Sequence, residues 1–124
     1  GAGNLGSALM GYQEFQLHGL HFVAAFDTDP TKIGNHVHGV PILSMDTIEQ
    51  GVKSLKAEIA VLTVPSPMAQ ATAERLVAAG ITSIWNFTNT KLKVPDEILV
   101  QREDLSSGYA LLSVMMQNRK GRLS

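Results

Sequence analysis

The sequence predicts an α/β protein built on a doubly wound parallel sheet. Three observations carry that prediction. The chain opens on a glycine-rich turn, Gly1-Ala2-Gly3-Asn4-Leu5-Gly6, of the kind that joins a strand to a helix. A short β-capable run ending in an acid, Asp27, follows roughly 20 positions after the last of these glycines. Beyond it, apolar β-branched runs alternate with helical stretches through short links, and such alternation demands parallel strands with right-handed crossovers.

Each element follows in order. The opening turn works only between a strand that delivers the chain to Gly1 and a helix that leaves after Gly6. The sequence therefore predicts a first strand upstream, missing from the fragment, and a helix over residues 4–17. Ser7, Ala8, Leu9 and Met10 supply its small and helix-forming side chains. His21-Phe22-Val23-Ala24-Ala25-Phe26-Asp27 is the next strand. Residues 28–38 read as a polar loop, punctuated by Pro30 and Gly34. Val40-Pro41-Ile42-Leu43 is extended, and a helix starts near Asp46, which has the spacing of a capping box with Glu49. Gly51 weakens that helix by ~1 kcal/mol.

Glu58-Ile59-Ala60-Val61-Leu62-Thr63-Val64 is the best strand in the chain, continuously apolar as expected of a central parallel strand covered on both faces. Pro65 ends it. Ser66 reads as the N-cap of a helix with Pro67 at its first position and Gly80 as its stop. Ile81-Thr82-Ser83-Ile84-Trp85-Asn86-Phe87 is the following strand, and residues 98–101 a last extended piece. From Tyr109 to Met116 the chain is apolar almost all the way round a helix, which must then be covered on more than one side. Burial in a second copy of the chain satisfies that need; a helix laid flat with exposed methionines is the alternative.

Composition narrows the function. Apolar residues make up 44% of the chain, enough for one packed domain. The net charge of −1 gives no general attraction for nucleic acid. The absence of cysteine excludes disulfides, thiolate catalysis and iron–sulfur ligation, and fits a reducing cytoplasm. No apolar run approaches the ~20 residues of a membrane span. His36 and His38 lack a carboxylate pair at ligand spacing, so no metal site is expected.

The glycine turn and the acid point to a dinucleotide. Gly1 allows the tight turn, Gly3 lets backbone N–H groups approach a pyrophosphate, and Gly6 lets the helix pack on the sheet. With Ala2, Asn4 and Leu5 these residues would hold the diphosphate on the positive end of the helix. Asp27 can accept hydrogen bonds from both ribose hydroxyls and would repel a 2′-phosphate, which selects NAD(H) over NADP(H); it can equally serve the turn Asp27-Thr28-Asp29-Pro30. Lys32 can reach the adenosine end or stay solvated. Ligands of such sheets sit beyond the carboxyl ends of the strands, so Thr63, Val64, Pro65, Asn86 and Phe87 should line the pocket.

Nothing in the chain offers the means to use a redox cofactor catalytically. Neither Tyr12 nor Tyr109 has a lysine four positions on; Gln16 and Ser113 stand there instead. No catalytic residue is assigned, and a sensor is preferred to a fragment of an NAD-dependent dehydrogenase. The nucleotide domain of an acyl-CoA ligase is a third reading of the same architecture.

Taken jointly, Gly1-Ala2-Gly3-Asn4-Leu5-Gly6-Ser7-Ala8-Leu9, Phe26-Asp27-Thr28-Asp29-Pro30 with Lys32 and Gly34, Leu62-Thr63-Val64-Pro65, Ile84-Trp85-Asn86-Phe87, Val94-Pro95 and Glu103-Asp104-Leu105 resemble the Rex redox-sensing transcriptional repressors. The resemblance implies a cytoplasmic homodimer. Each subunit would have an N-terminal winged-helix DNA-binding domain, absent from this chain, and a Rossmann domain, here residues 1–104, that binds NADH or NAD+. It implies that a rise in NADH releases operator DNA. It further implies that residues 105–124 form a domain-swapped dimerisation helix. Tyr12 would lie at the cofactor site and, with Asp104 and Leu105, in the switch across the dimer. Position 105 holds leucine where some members have phenylalanine. A pocket of Val64, Pro65, Phe87 and the partner subunit's Leu105 would be apolar, so a cationic nicotinamide would be costly to desolvate there and neutral NADH favoured.

Overall fold

Strand and helix alternate as the sequence implies, but through two sheets rather than one. The computed structural model describes residues 3–103. The expectations for Gly1 and Ala2, and for Asp104, Leu105 and the C-terminal helix, lie outside the described residues. The first sheet joins β1 (Ala25–Asp27), β2 (His36–Val37) and β3 (Val40–Ser44) in the order β1-β3-β2. The second joins β4 (Ile59–Leu62), β5 (Ser83–Asn86) and β6 (Leu99–Arg102) in the order β4-β5-β6, parallel throughout. Among the described residues α1 (Asn4–Met10) and α2 (Gln13–Leu17) precede β1, α3 (Ile48–Leu55) connects the two sheets, and α4 (Ser66–Ala79) joins β4 to β5.

The crossover between β4 and β5 is the best-packed part. Ala69 and Ala73 of α4 have no exposed surface, and their small side chains let the helix lie close on the strands. Leu62, Leu76, Ile81 and Ile84 close the same core, joined by Ile48 and Val52 from α3. Proline at the start and glycine at the end bound α4 as expected, although the helix begins one residue early, with Pro65 in the cap position and Ser66 already helical. Gly80 takes φ 113°, which only glycine adopts cheaply, and Ile81 N–H then returns to Leu76 C=O at 3.0 Å.

Five expectations need correction. The helix expected over residues 4–17 breaks at Gly11 and Tyr12, because the chain turns there beneath the His38 imidazole. A Cβ on Gly11 would lie 2.5 Å from His38 Nε2, so the close approach needs glycine. The strand expected from residue 21 pairs only over Ala25–Asp27, where β3 supplies partners. The polar loop contains β2, antiparallel to β3, with His38 and Gly39 both at positive φ in the two-residue turn between them. The helix after β3 is capped by Ser44, whose Oγ accepts Asp46 N–H at 3.2 Å, and a 3₁₀ turn over Met45–Thr47 precedes α3. Finally, β4 is not covered on both faces: Ile59 is 49% exposed, and among the described residues β4 pairs only with β5.

Glu49, expected in a capping box, instead reaches α4. Arg75 donates to both of its carboxylate oxygens, at 2.6 and 3.0 Å, and to Met45 C=O at 2.8 Å. The Arg75 guanidinium holds the Glu49 carboxyl down to about 2 from an ordinary 4.5. Gly51 has a packing reason that outweighs its poor helix propensity: a Cβ there would lie 2.6 Å from Phe26 Cζ. An apolar groove of ≈ 130 Å³ separates β1 from β4, lined by Leu9, Phe26, Val52, Val61 and Leu62 among others.

Two outcomes follow from this packing. Gly51→Ala should lower the melting temperature even though alanine gains ~1 kcal/mol of helix propensity, since displacing the Phe26 ring costs about 1–3 kcal/mol; a raised melting temperature in a thermal scan would contradict it. The Glu49 carboxyl binds protons less readily folded than unfolded, so its pairing stabilises the fold above about pH 4.5 and is lost as pH falls towards 2. Glu49→Gln should therefore destabilise the chain in urea titrations near neutral pH, with the difference from the unaltered chain shrinking below pH 4.5. A difference independent of pH would contradict the pairing.

Candidate functional site

The residues expected at the site are set by the ends of three strands and the start of one helix. α1 begins directly after Gly3, whose extended backbone (φ −74°, ψ −165°) turns the chain into the helix and whose C=O accepts Ser7 N–H at 2.8 Å. No acidic side chain occupies its first turn, so nothing there opposes an anion at the positive helix end. Gly6 and Leu9 are buried on the groove side of α1, with Leu5 half-buried beside them.

Asp27 closes β1, in register with Ser44 of β3. The loop beyond it is built from short polar links. Asp27 Oδ1 accepts Asp29 N–H at 3.0 Å, and Asp29 Oδ1 accepts both Thr31 N–H and Thr31 Oγ1–H at 2.9 and 2.7 Å. The Thr31 hydroxyl, and secondarily its N–H and the charge of Lys32, hold the Asp29 carboxyl below its ordinary value. Lys32 N–H donates to Asp29 C=O at 3.0 Å. Asp27 is thus a turn residue at a strand end, and the turn fixes its carboxylate there.

The ends of β4 and β5 are stitched together. Leu62 is in register with Asn86 and Phe87 N–H donates to Leu62 C=O at 3.0 Å, so the segment that follows Leu62 leaves the sheet beside Asn86 and Phe87. Asn86 is 1% exposed and its amide is spent inside its own loop: Oδ1 accepts Thr88 N–H and Thr88 Oγ1–H at 2.9 and 2.7 Å, and Nδ2 donates to Thr90 C=O at 2.8 Å. Ser66 joins that loop to the start of α4 through Asn89 N–H (3.3 Å) and Thr90 Oγ1–H (2.9 Å). The spacing Asn86-Phe87-Thr88 is an Asx-turn signal that could have shown this role in advance.

An aromatic chain links the helical corner to the strand ends. Ring centroids lie 5.0 Å apart for Tyr12 and Phe15, 5.1 Å for Phe15 and Trp85, and 5.0 Å for Trp85 and Phe87. Tyr12 and Phe87 therefore belong to one connected wall, whereas Asp27 ends β1 of the other sheet and Lys32 lies in the turn that follows it. The groove between the sheets reaches Gly6, Thr63 and Val64 but is not lined by Asp27 or Phe87. No cluster of metal-ligating side chains occurs among the described residues. The indole N–H of Trp85 donates to Glu103 Oε1 at 3.2 Å, a pairing across 18 residues that no local spacing signals.

Comparison with known proteins sharpens this geometry. The family model described as the CoA binding domain matches residues 1–90. That match alone does not separate a redox sensor from an acyl-CoA ligase domain; the curated relatives are named redox-sensing repressors. The chain is 58% identical over 120 residues to the redox-sensing transcriptional repressor Rex of Treponema denticola, covering 97% of this chain and 57% of that protein. It is 42% identical over 119 residues to the Rex of Rhodopirellula baltica, covering 96% and 50%. Among solved structures it is similar to RSP, a Rex-family repressor, with TM-score 0.84 and 36% identity over 97% of this chain and 57% of that one. It is similar also to RSP in complex with NADH, with TM-score 0.83 and 35% identity over 100% and 61%. RSP in complex with NAD+ and operator DNA aligns with TM-score 0.83 and 36% identity over 97% and 55%. The chain spans about half the length of the repressors it matches, and those relatives are named as repressors rather than enzymes. By its family model the chain belongs to the CoA binding domain family, and it is similar, over about half of their length, to the Rex repressors.

Proposed function

We propose that this chain is the dinucleotide-sensing part of a cytoplasmic, homodimeric repressor that binds NADH and NAD+ and gives up operator DNA when NADH rises. The observation that carries the reading is the pairing of an acid-free helix start at Gly3 with a carboxylate fixed at the end of β1. Those two groups suit the two ends of an adenosine diphosphate: N–H donors and a positive dipole for the diphosphate, an acceptor for the ribose hydroxyls. The structures of a Rex-family repressor with NADH, and with NAD+ and operator DNA, support the same ligands here.

Each part has a distinct task. Gly1, Ala2, Gly3, Asn4, Leu5 and Gly6 hold the diphosphate through backbone N–H groups, and Asp27 takes the ribose while excluding a 2′-phosphate. Thr63, Val64, Pro65 and Phe87 form the wall against the nicotinamide, with Tyr12 reached through the Phe15 and Trp85 rings. Asn86 acts indirectly, since its amide is committed to holding the loop that carries Phe87. A nicotinamide supplies the signal when bound: its ring is cationic oxidised and neutral reduced, and an apolar wall penalises the cation. A hundredfold preference needs only ~2.8 kcal/mol of differential binding. Residues 1–104 form the binding domain in this reading. Residues 105–124 contribute the helix shared between subunits, and Tyr12, Asp104 and Leu105 act across the dimer.

The groove between β1 and β4 fits the same reading. Among the described residues its flanking strands each pair on one side only, and its lining is apolar. It suits one further parallel strand that would bring the two sheets into one and lead into Gly1.

Calorimetric titration tests the assignment. The chain should bind NADH but not NADPH, and Asp27→Asn should weaken NADH about tenfold or more through loss of charge-assisted bonds worth roughly 1.5–3 kcal/mol. Equal affinity for NADH and NADPH, or no heat with either, would overturn it.

A further inference from the structure

The two halves assigned to the dinucleotide lie on different sheets. Asp27 ends β1, whereas Val64 and Pro65 follow β4 and Phe87 follows β5. Among the described residues no strand pairing joins those sheets. A ligand gripped at both ends needs something else to hold their separation, and α3 and α4 supply it. Asp27 is in register with Ser44, the last residue of β3. Ser44 is held in its turn: its Oγ accepts Asp46 N–H at 3.2 Å and its C=O accepts Thr47 Oγ1–H at 2.8 Å. The next residue, Met45, accepts Arg75 Nη2–H on its C=O at 2.8 Å. The same guanidinium, on α4, meets both carboxylate oxygens of Glu49 on α3, from Nε at 2.6 Å and from Nη2 at 3.0 Å. α4 starts directly after Pro65, and its first residue, Ser66, accepts Asn89 N–H and Thr90 Oγ1–H from the loop after Phe87. One side chain thus spans from the turn beside Asp27 to the helix anchored at the wall.

We propose that Arg75 is a positioning residue that sets the separation between the acid at Asp27 and the apolar wall at Val64, Pro65 and Phe87. The guanidinium suits this task because its planar fork meets two carboxylate oxygens and a carbonyl at once. An ammonium on a flexible stem does not reproduce that fork. A ligand that touches both halves gains from the second contact only when their separation matches its own span. ADP engages the Asp27 half alone and is indifferent to the spacing, whereas NADH engages both. Packing supports the same brace: Phe26, next to Asp27, lies against the core that Ile48 and Val52 of α3 share with Leu76 of α4. The inference rests on the proposed dinucleotide site and deepens it by naming the residue that fits the pocket to the ligand's length.

The chain has no cysteine, so one spin label can be placed on each half through Thr28→Cys and Asn89→Cys, both at exposed positions. Double electron–electron resonance reads the distance between the labels, and calorimetry on the unlabelled protein reads NADH and ADP affinities. The unaltered protein should show one narrow distance distribution. Arg75→Met keeps the stem but removes every donor, and should broaden it. That variant should lose about tenfold in NADH affinity while ADP stays within about threefold, because a lost span match affects only the two-ended ligand. A role in stability alone would weaken both nucleotides together. Arg75→Lys should follow Arg75→Met, and Glu49→Gln, which leaves the Met45 bond and an acceptor oxygen, should follow the unaltered protein. The proposal is overturned if either folded Arg75 variant keeps the narrow distribution, if NADH and ADP weaken by equal factors, or if Glu49→Gln matches Arg75→Met. Binding of neither nucleotide by the unaltered protein would instead overturn the dinucleotide site itself.

Discussion

Parallel pairing of β4 with β5 is the constraint on which the rest of this structure depends. Two parallel strands cannot be joined by a tight turn; the chain must cross over the sheet, and here α4 makes that crossing on the fully buried Ala69 and Ala73. The crossing returns each strand in the same direction, so Thr63-Val64-Pro65 and Asn86-Phe87 emerge at one edge. The bond from Phe87 N–H to Leu62 C=O fixes their offset. Everything attributed to the site, from the apolar wall to the aromatic contact with Tyr12, inherits its geometry from that pairing.

In the proposed site the strand ends are held by polar side-chain bonds and the wall between sheet and helix is apolar. Two Asx-type loops, one beginning at Asp27 and the other at Asn86, close β1 and β5 with side-chain bonds to nearby backbone N–H groups. Such loops hold a strand end without needing a partner strand, which leaves the neighbouring space open for a ligand. Val64, Pro65 and Phe87 carry no charge that could compensate a cation. Under the proposed function that division would suit a sensor: the polar ends would grip what NADH and NAD+ share, and the apolar wall would weigh the ring in which they differ.

What the sequence made legible was whatever local chemistry decides. Pro67, Gly80 and the β-branched run through Val61 placed α4 and its flanking strands to within a residue or two, because caps and propensities agree there with the tertiary fold. The break at Gly11 was not legible, since its cause is an imidazole from residue 38. Gly51 looked like a weak point in a helix for the same reason: Phe26, distant in the chain, supplies the explanation. Asp46 and Glu49 matched a capping pattern, yet Ser44 caps the turn and Glu49 pairs with Arg75, a partner no local spacing could reveal. At the strand ends, residue type alone does not show that the Asn86 amide is bonded within its own loop, to Thr88 and Thr90.

The claim most exposed to test is that an apolar wall distinguishes the two redox forms of one dinucleotide by charge. Isothermal titration of the protein with NADH and with NAD+ under the same buffer measures that difference directly. NADH should bind at least about tenfold more tightly, a gap of roughly 1.4 kcal/mol. Equal affinities, or a preference for NAD+, would contradict the account.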